Sequence, residues 1–231
     1  MPKREQENSH PSGALKSRTV ARSGRHKEAI ARERFASIKA RAIAGNVDAM
    51  FSLASYLEFG LGTRRDVKKA LEWYRHAARK GNRSARYTLG VCYHDGIGVP
   101  RNDRIAYRWF ARAAREGDPD GMCEQALALR HGRGVHKNLR RAYALLREAE
   151  SRGSANAAFS IGVCLSRGEG VAANKSLALK WFKKAAAKGD PDAMHNVELF
   201  LRTGIGGRAD QAGATYWRRR IRRAQRNSGR L

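Results

Sequence analysis

Along most of this chain apolar residues recur every three or four positions, the spacing that lines up one face of an α-helix. Between Arg83 and Asp95, Ala85, Leu89 and Tyr93 fall on one side. From Asn102 to Glu116, Ile105, Ala106, Trp109, Phe110 and Ala113 make a second stripe. Both stretches are predicted to be amphipathic helices. Asn102 and Asp103 stand where an N-cap is needed, because a short polar side chain accepts from the unpaired N–H groups of a first turn. Gly117 is the C-terminal stop, and Asp118-Pro119 opens the next helix.

The second stripe is one of a series. "ALEWYRHAARKGN" (Ala70 to Asn82) returns as "AYRWFARAAREGD" from Ala106, as the weaker "AYALLREAESRGS" from Ala142, and as "ALKWFKKAAAKGD" from Ala178, each 36 residues after the last. Gly45, Gly81, Gly117, Gly153 and Gly189 mark one turn in register. A second turn recurs inside each copy as GLGT, GIGV, GRGV, GEGV and GIGG, beginning at Gly60, Gly96, Gly132, Gly168 and Gly204. Each copy is therefore read as helix, turn, helix. The alanines at 70, 106, 142 and 178 allow helices to approach closely. Trp73, Trp109, Trp181 and Trp217 are read as core filling beside them, with Leu145 in their place in the third copy. Such a unit cannot bury its apolar stripe without a neighbour, so stacked copies form a solenoid.

The ends depart from the pattern as terminal units should. Ala31, Phe35, Ile38 and Ala42 share one helix face, and a shift of one period places the last three on Leu71, Tyr74 and Ala78. Residues 25–44 are thus expected to be an N-terminal capping helix. Arg218 and Arg222 replace the apolar Tyr74 and Ala78 at the far end, where no further copy would cover them. Residues 1–24 and 227–231 are expected to be disordered basic tails. The solenoid is expected over 45–226, with copies at about 45–80, 81–116, 117–152, 153–188 and 189–226.

The segment "ARYTLGVCYHDGIGVPRNDRIAYRWFARAAREGD", with its LG, Y, GxGV, A, WF, AA and G at fixed spacing, closely resembles the Sel1-like repeat, a relative of the tetratricopeptide repeat. The resemblance runs from about Ala44 to Arg226. The third copy departs from it, with Gln125 and Ala126 for the Leu-Gly pair and no tryptophan; the fifth has Val197 and Glu198 there. The resemblance implies an all-α, right-handed α-solenoid of about five helix-turn-helix repeats, acting as an adaptor that holds other proteins in a complex.

Charge adds a partner class. The 231 residues carry 47 basic and 21 acidic side chains, a net +26, and both ends are more densely basic than the middle. That balance speaks to partners and solubility and not to fold. By analogy with tetratricopeptide repeats, the first helices line a concave face with Phe51, Tyr87, Phe159 and His195 in one register, beside His94, Arg130, Arg167 and Arg202. That set suits a protein partner, an acidic one by complementarity. The second helices supply a basic convex stripe. Arg75, Arg147, Lys183 and Arg219 share one register, Arg112, Lys184 and Arg220 the next, and Lys68, Arg104 and Arg140 lie about two turns earlier. The stripe and the tails suit the alternative partner, the phosphate backbone of a nucleic acid or ribosome.

No nucleophile, base and orienting group can be placed together, and the glycine pairs follow helices where a phosphate-binding loop would follow a strand. The chain is read as non-enzymatic, with neither cofactor nor metal. Cys92, Cys123 and Cys164 form no CxxC pair and are read as small buried residues. No run of about eighteen apolar residues occurs, and the opening "MPKREQENSHPSG" lacks the apolar stretch of a secretory signal, so an intracellular, cytoplasmic location is expected.

Overall fold

A computed structural model describes residues 12–228 of the chain. Among the described residues the secondary structure is wholly helical, in eleven α-helices. They fall into two compact units divided after Asn82. The first holds α1 (Ser12–Ile43), α2 (Val47–Phe59) and α3 (Val67–Arg79). The second holds α4 (Arg83–Asp95), α5 (Asp103–Arg115), α6 (Pro119–His131), α7 (Leu139–Ser151), α8 (Ala157–Arg167), α9 (Lys175–Ala187), α10 (Pro191–Thr203) and α11 (Gln211–Ser228).

Periodic capping fixes the helix boundaries. Asp66, Asn102, Asn138, Asn174 and Asp210 each accept from the backbone N–H three residues on, at 2.8–3.0 Å, and so start every second helix at the same point of the repeat. Asn46, Asp118 and Asp190 do the same for α2, α6 and α10. The fourth copy breaks this row: Ser154 is 1% exposed and donates its hydroxyl to Asp120 at 3.0 Å, and α8 begins late, at Ala157. The second glycine of the inner turn works by proximity. At Gly134, with φ +66°, a Cβ atom would lie 2.3 Å from the backbone carbonyl of Asp103 at the start of α5. Gly170 meets Leu139 in the same way.

In the first unit α1 lays its expected face on α2: Ala42 is buried, and Ala31, Phe35 and Ile38 are half-buried. The helix begins at Ser12, well before residue 25, so the expectation of an unstructured 1–24 is corrected for its second half. Residues 12–24 contain Ala, Leu, Lys and Arg and no proline after Pro11, so the helix can extend upstream. Residues 1–11, and 229–231 of the expected C-terminal tail, lie outside the described residues.

The core of each unit is a stack of second-helix aromatics on small or aliphatic first-helix residues. Phe110 and Phe182, 3% and 1% exposed, press their rings against the bare Cα atoms of Gly90 and Gly162. Tyr74 is equally buried in the first unit, and its hydroxyl donates to Glu58 at 2.8 Å. The tryptophans differ from expectation. Trp73, Trp109, Trp181 and Trp217 are half-buried and stand at the margin of the core, whose fully buried aromatic is the residue that follows at 74, 110 and 182. Tyr93 is likewise half-buried. A helix stripe has one central line, and Phe110 occupies it, leaving Trp109 one step around the helix toward solvent.

Candidate binding surfaces

First-helix rings pack on second-helix aromatics in the first, second and fourth copies. In the first unit the Phe51 ring lies 5.5 Å from that of Tyr74. In the second, Tyr87 lies 5.9 Å from Phe110 and Phe159 5.7 Å from Phe182. All three first-helix rings are half-buried. Burial, reinforced by the charges of Glu124 and Asp120, pushes the Tyr87 phenol up to about 12, so it is neutral at physiological pH. Cys123 occupies this register in the third copy and is buried, so it interrupts the ladder; His195 is exposed and lies 2.8 Å from the Pro191 carbonyl through Nδ1.

The charged members of this face are already engaged. Nδ1 of His94 is 3.2 Å from Asp103, and its Nε2 is 3.2 Å from Arg133. The hydrogen bond from Arg101 holds the Asp103 carboxyl below the usual carboxylate range, with a smaller contribution from His94. Arg130 is 9% exposed and bonds Glu169 at 2.5 Å. Burial would raise the Glu169 carboxyl, but the hydrogen bond and charge of Arg130 outweigh it and hold it low. Arg167 and Arg202 are exposed, at 3.7 Å from Glu169 and 3.3 Å from Glu198. Glu124, absent from the sequence reading, sits beside this cluster, its carboxyl raised by burial against the opposing pull of His94 and Arg133.

The second helices carry a surface that combines the basic stripe with the tryptophans. Arg112 lies 5.0 Å above the Trp109 ring, and Arg220 lies 5.0 Å above that of Trp217. Trp181 holds two cations, Lys184 at 5.1 Å and Arg147 of the preceding repeat at 5.5 Å. A cation over an indole face is attracted by the ring quadrupole. The i, i+3 pairs Trp109–Arg112, Trp181–Lys184 and Trp217–Arg220 were the sequence signal for this arrangement. Arg104, Arg140, Lys183 and Arg219 are exposed beyond these pairs; in the first unit Lys68 is exposed and Arg75 half-buried.

The third copy breaks the tryptophan–cation row. Leu145 stands for tryptophan, Glu148 for the cation three residues on, and Ala111 for the cation of the preceding repeat. There the surface opens into a cleft of about 730 Å³ between α5 and α7, floored by Met122 and Gln125 of α6 and rimmed by Arg115, Arg141 and Arg152.

Among the described residues, no group of three or more His, Cys, Asp and Glu side chains converges as a metal site would require. Cys92, Cys123 and Cys164 are buried, and burial pushes the Cys123 and Cys164 thiols up to about 12 and about 11. No described helix is long and apolar enough to cross a membrane.

The Sel1 repeat matches residues 47–82, 83–118, 119–154 and 155–190. Among solved structures, the chain is similar to a Sel1 repeat protein from Oxalobacter formigenes, with 29% identity over 84% of this chain and 80% of that one and a TM-score of 0.78. It is also similar to a protective antigen of uropathogenic Escherichia coli strains that displays an SLR fold, with 28% identity over 81% of this chain, 40% of that one, and a TM-score of 0.75. An immunity protein from Pseudomonas aeruginosa, at 19% identity over 82% of this chain and 72% of that one, shares the fold with a TM-score of 0.55. Among curated proteins none matches the chain.

Proposed function

The chain belongs to the Sel1-repeat family, and from that premise we propose that it is a non-catalytic adaptor that binds another protein. The observation that carries the reading is the pair of half-buried first-helix rings at Tyr87 and Phe159 of the second unit, each packed on a second-helix aromatic, an arrangement that Phe51 repeats within the first unit. Rings fixed in this way lose little further entropy on contact and suit apolar anchors of a partner. The net charge of +26 favours an acidic partner.

A second reading is supported by the tryptophan–cation row. Arg147, Lys183 and Arg219 are exposed at one register of the second helices, where a phosphate backbone could be neutralised without base contacts.

One experiment separates the two readings: capture from lysate at physiological salt, with and without nuclease, using the wild-type chain and two variants. Arg147, Lys183 and Arg219 changed together to Glu leave the core untouched. Tyr87→Leu with Phe159→Leu keeps apolar packing on Phe110 and Phe182. A protein that survives nuclease, is retained by the charge-reversed variant and is lost from the Leu variant supports the adaptor. Capture that disappears with nuclease overturns it in favour of nucleic acid.

A further inference from the structure

The departures of the third repeat converge on one place. The register occupied by Leu53, Leu89, Ile161 and Val197, each at most 1% exposed, holds Gln125 in this copy. Gln125 is itself 6% exposed, and its amide donates to the Tyr107 hydroxyl at 3.4 Å. A polar group in an aliphatic layer costs stability that only hydrogen bonding offsets, and the Gln125 bond to Tyr107 is a long one. Leu145 in place of tryptophan, Ala111 in place of a cation, and Gln125 in place of an aliphatic residue all line the same cleft of about 730 Å³. Three separate replacements have opened a pocket of the size that ordinarily encloses a ligand group and given it a polar floor.

We propose that this cleft binds an acidic peptide segment by taking in one tryptophan or tyrosine side chain. The guest ring occupies the space that Trp109 and Trp181 fill in their own repeats, over Ala111, Met122 and Leu145. Its polar edge meets the Gln125 amide and the Tyr107 hydroxyl. Carboxylates flanking it meet Arg115 and Arg141, which among the described residues have no carboxylate within ion-pair distance, whereas Arg152 is held by Glu148 at 3.0 Å. The peptide is favoured over a nucleic-acid strand because Glu116 and Glu148, which also line the cleft, are held by Arg86 and Arg152, leaving Arg115 and Arg141 to meet a few carboxylates where a phosphate backbone is met by a longer row of cations. The site is separate from the first-helix ladder and does not rest on it.

The probe is a fluorescein-labelled, amidated DEWED peptide, with DEAED as its partner, titrated by anisotropy against the full chain. DEWED should bind at least about tenfold more tightly than DEAED. Leu145→Trp, which restores the tryptophan of the other copies, should weaken DEWED at least about tenfold while leaving the melting temperature unchanged or higher. Arg141→Glu, an exposed change, gives the same loss and serves if the tryptophan variant misfolds. Tyr87→Leu should leave DEWED binding unaltered, so failure of the ladder reading and failure of this one are distinguishable. The proposal is overturned if neither peptide binds, if the two bind equally, or if both cleft variants bind like the wild type. It is also overturned if an oligothymidylate strand takes the cleft with the same dependence on Leu145 and Arg141.

Discussion

Arg218 donates to Glu198 at 2.5 Å at the register where Phe110 covers Gly90 and Phe182 covers Gly162. The same pair of positions, one on each helix of a repeat, is an aromatic on glycine in the second and fourth copies and an ion pair in the fifth. Arg222 completes the change and is exposed. The ion pair thus puts polar groups where the second and fourth copies carry an apolar contact.

The ion pair has a pH signature. The hydrogen bond from Arg218, with the charges of Arg218 and Arg202, holds the Glu198 carboxyl below the usual carboxylate range. A depressed carboxyl contributes stability that is present above its unfolded value, about 4.3, and is lost as pH falls through the folded value. Thermal melting followed from pH 7 to pH 2 should therefore show a smaller acid-induced loss for Glu198→Gln than for the wild type. An equal loss in both would mean that the pair contributes nothing in solution.

Two glycines with positive φ should respond differently to alanine. Gly153→Ala meets no atom within 4 Å and carries the left-handed backbone strain, about 1 kcal/mol. Gly134→Ala adds a collision with the Asp103 carbonyl and should cost about 3 kcal/mol or more. Urea midpoints of the two variants should separate in that order.

Neighbouring aromatics in α5 should also differ. Phe110→Ala empties a buried site against Gly90 and should cost about 3–5 kcal/mol. Trp109→Ala removes a half-buried ring and its Arg112 contact and should cost less, about 2 kcal/mol. Urea unfolding that ranks the tryptophan as the costlier loss would restore it to the core.

The cap row can be tested one member at a time. Asn138→Ala removes the acceptor for the Arg141 N–H and should cost about 1 kcal/mol, while Asn138→Asp should be nearly neutral. Hydrogen exchange should show faster exchange at Arg141 in the alanine variant.

Much of this protein was legible without coordinates. The 36-residue recurrence of glycines, caps and apolar stripes dictated helix, turn and helix, because capping and helical periodicity act over a few residues. α4 runs over the predicted Arg83–Asp95, and α5 starts at its predicted Asn102 cap. The capping face of Ala31, Phe35, Ile38 and Ala42 was equally readable. What the recurrence leaves open is which member of an adjacent pair owns the centre of a stripe. Trp109 and Phe110 differ by one step around a helix, and packing against Gly90 gave the interior to phenylalanine. Arg130 meets Glu169, His94 meets Arg133 and Lys184 meets Glu150 across successive repeats, contacts that the periodicity of a single helix does not assign. Gln125, Leu145 and Ala111 read along the chain as three unrelated lapses of a motif. Their meeting in one cleft was decided by the tertiary structure, because it brings three helices together where the sequence runs along them one at a time.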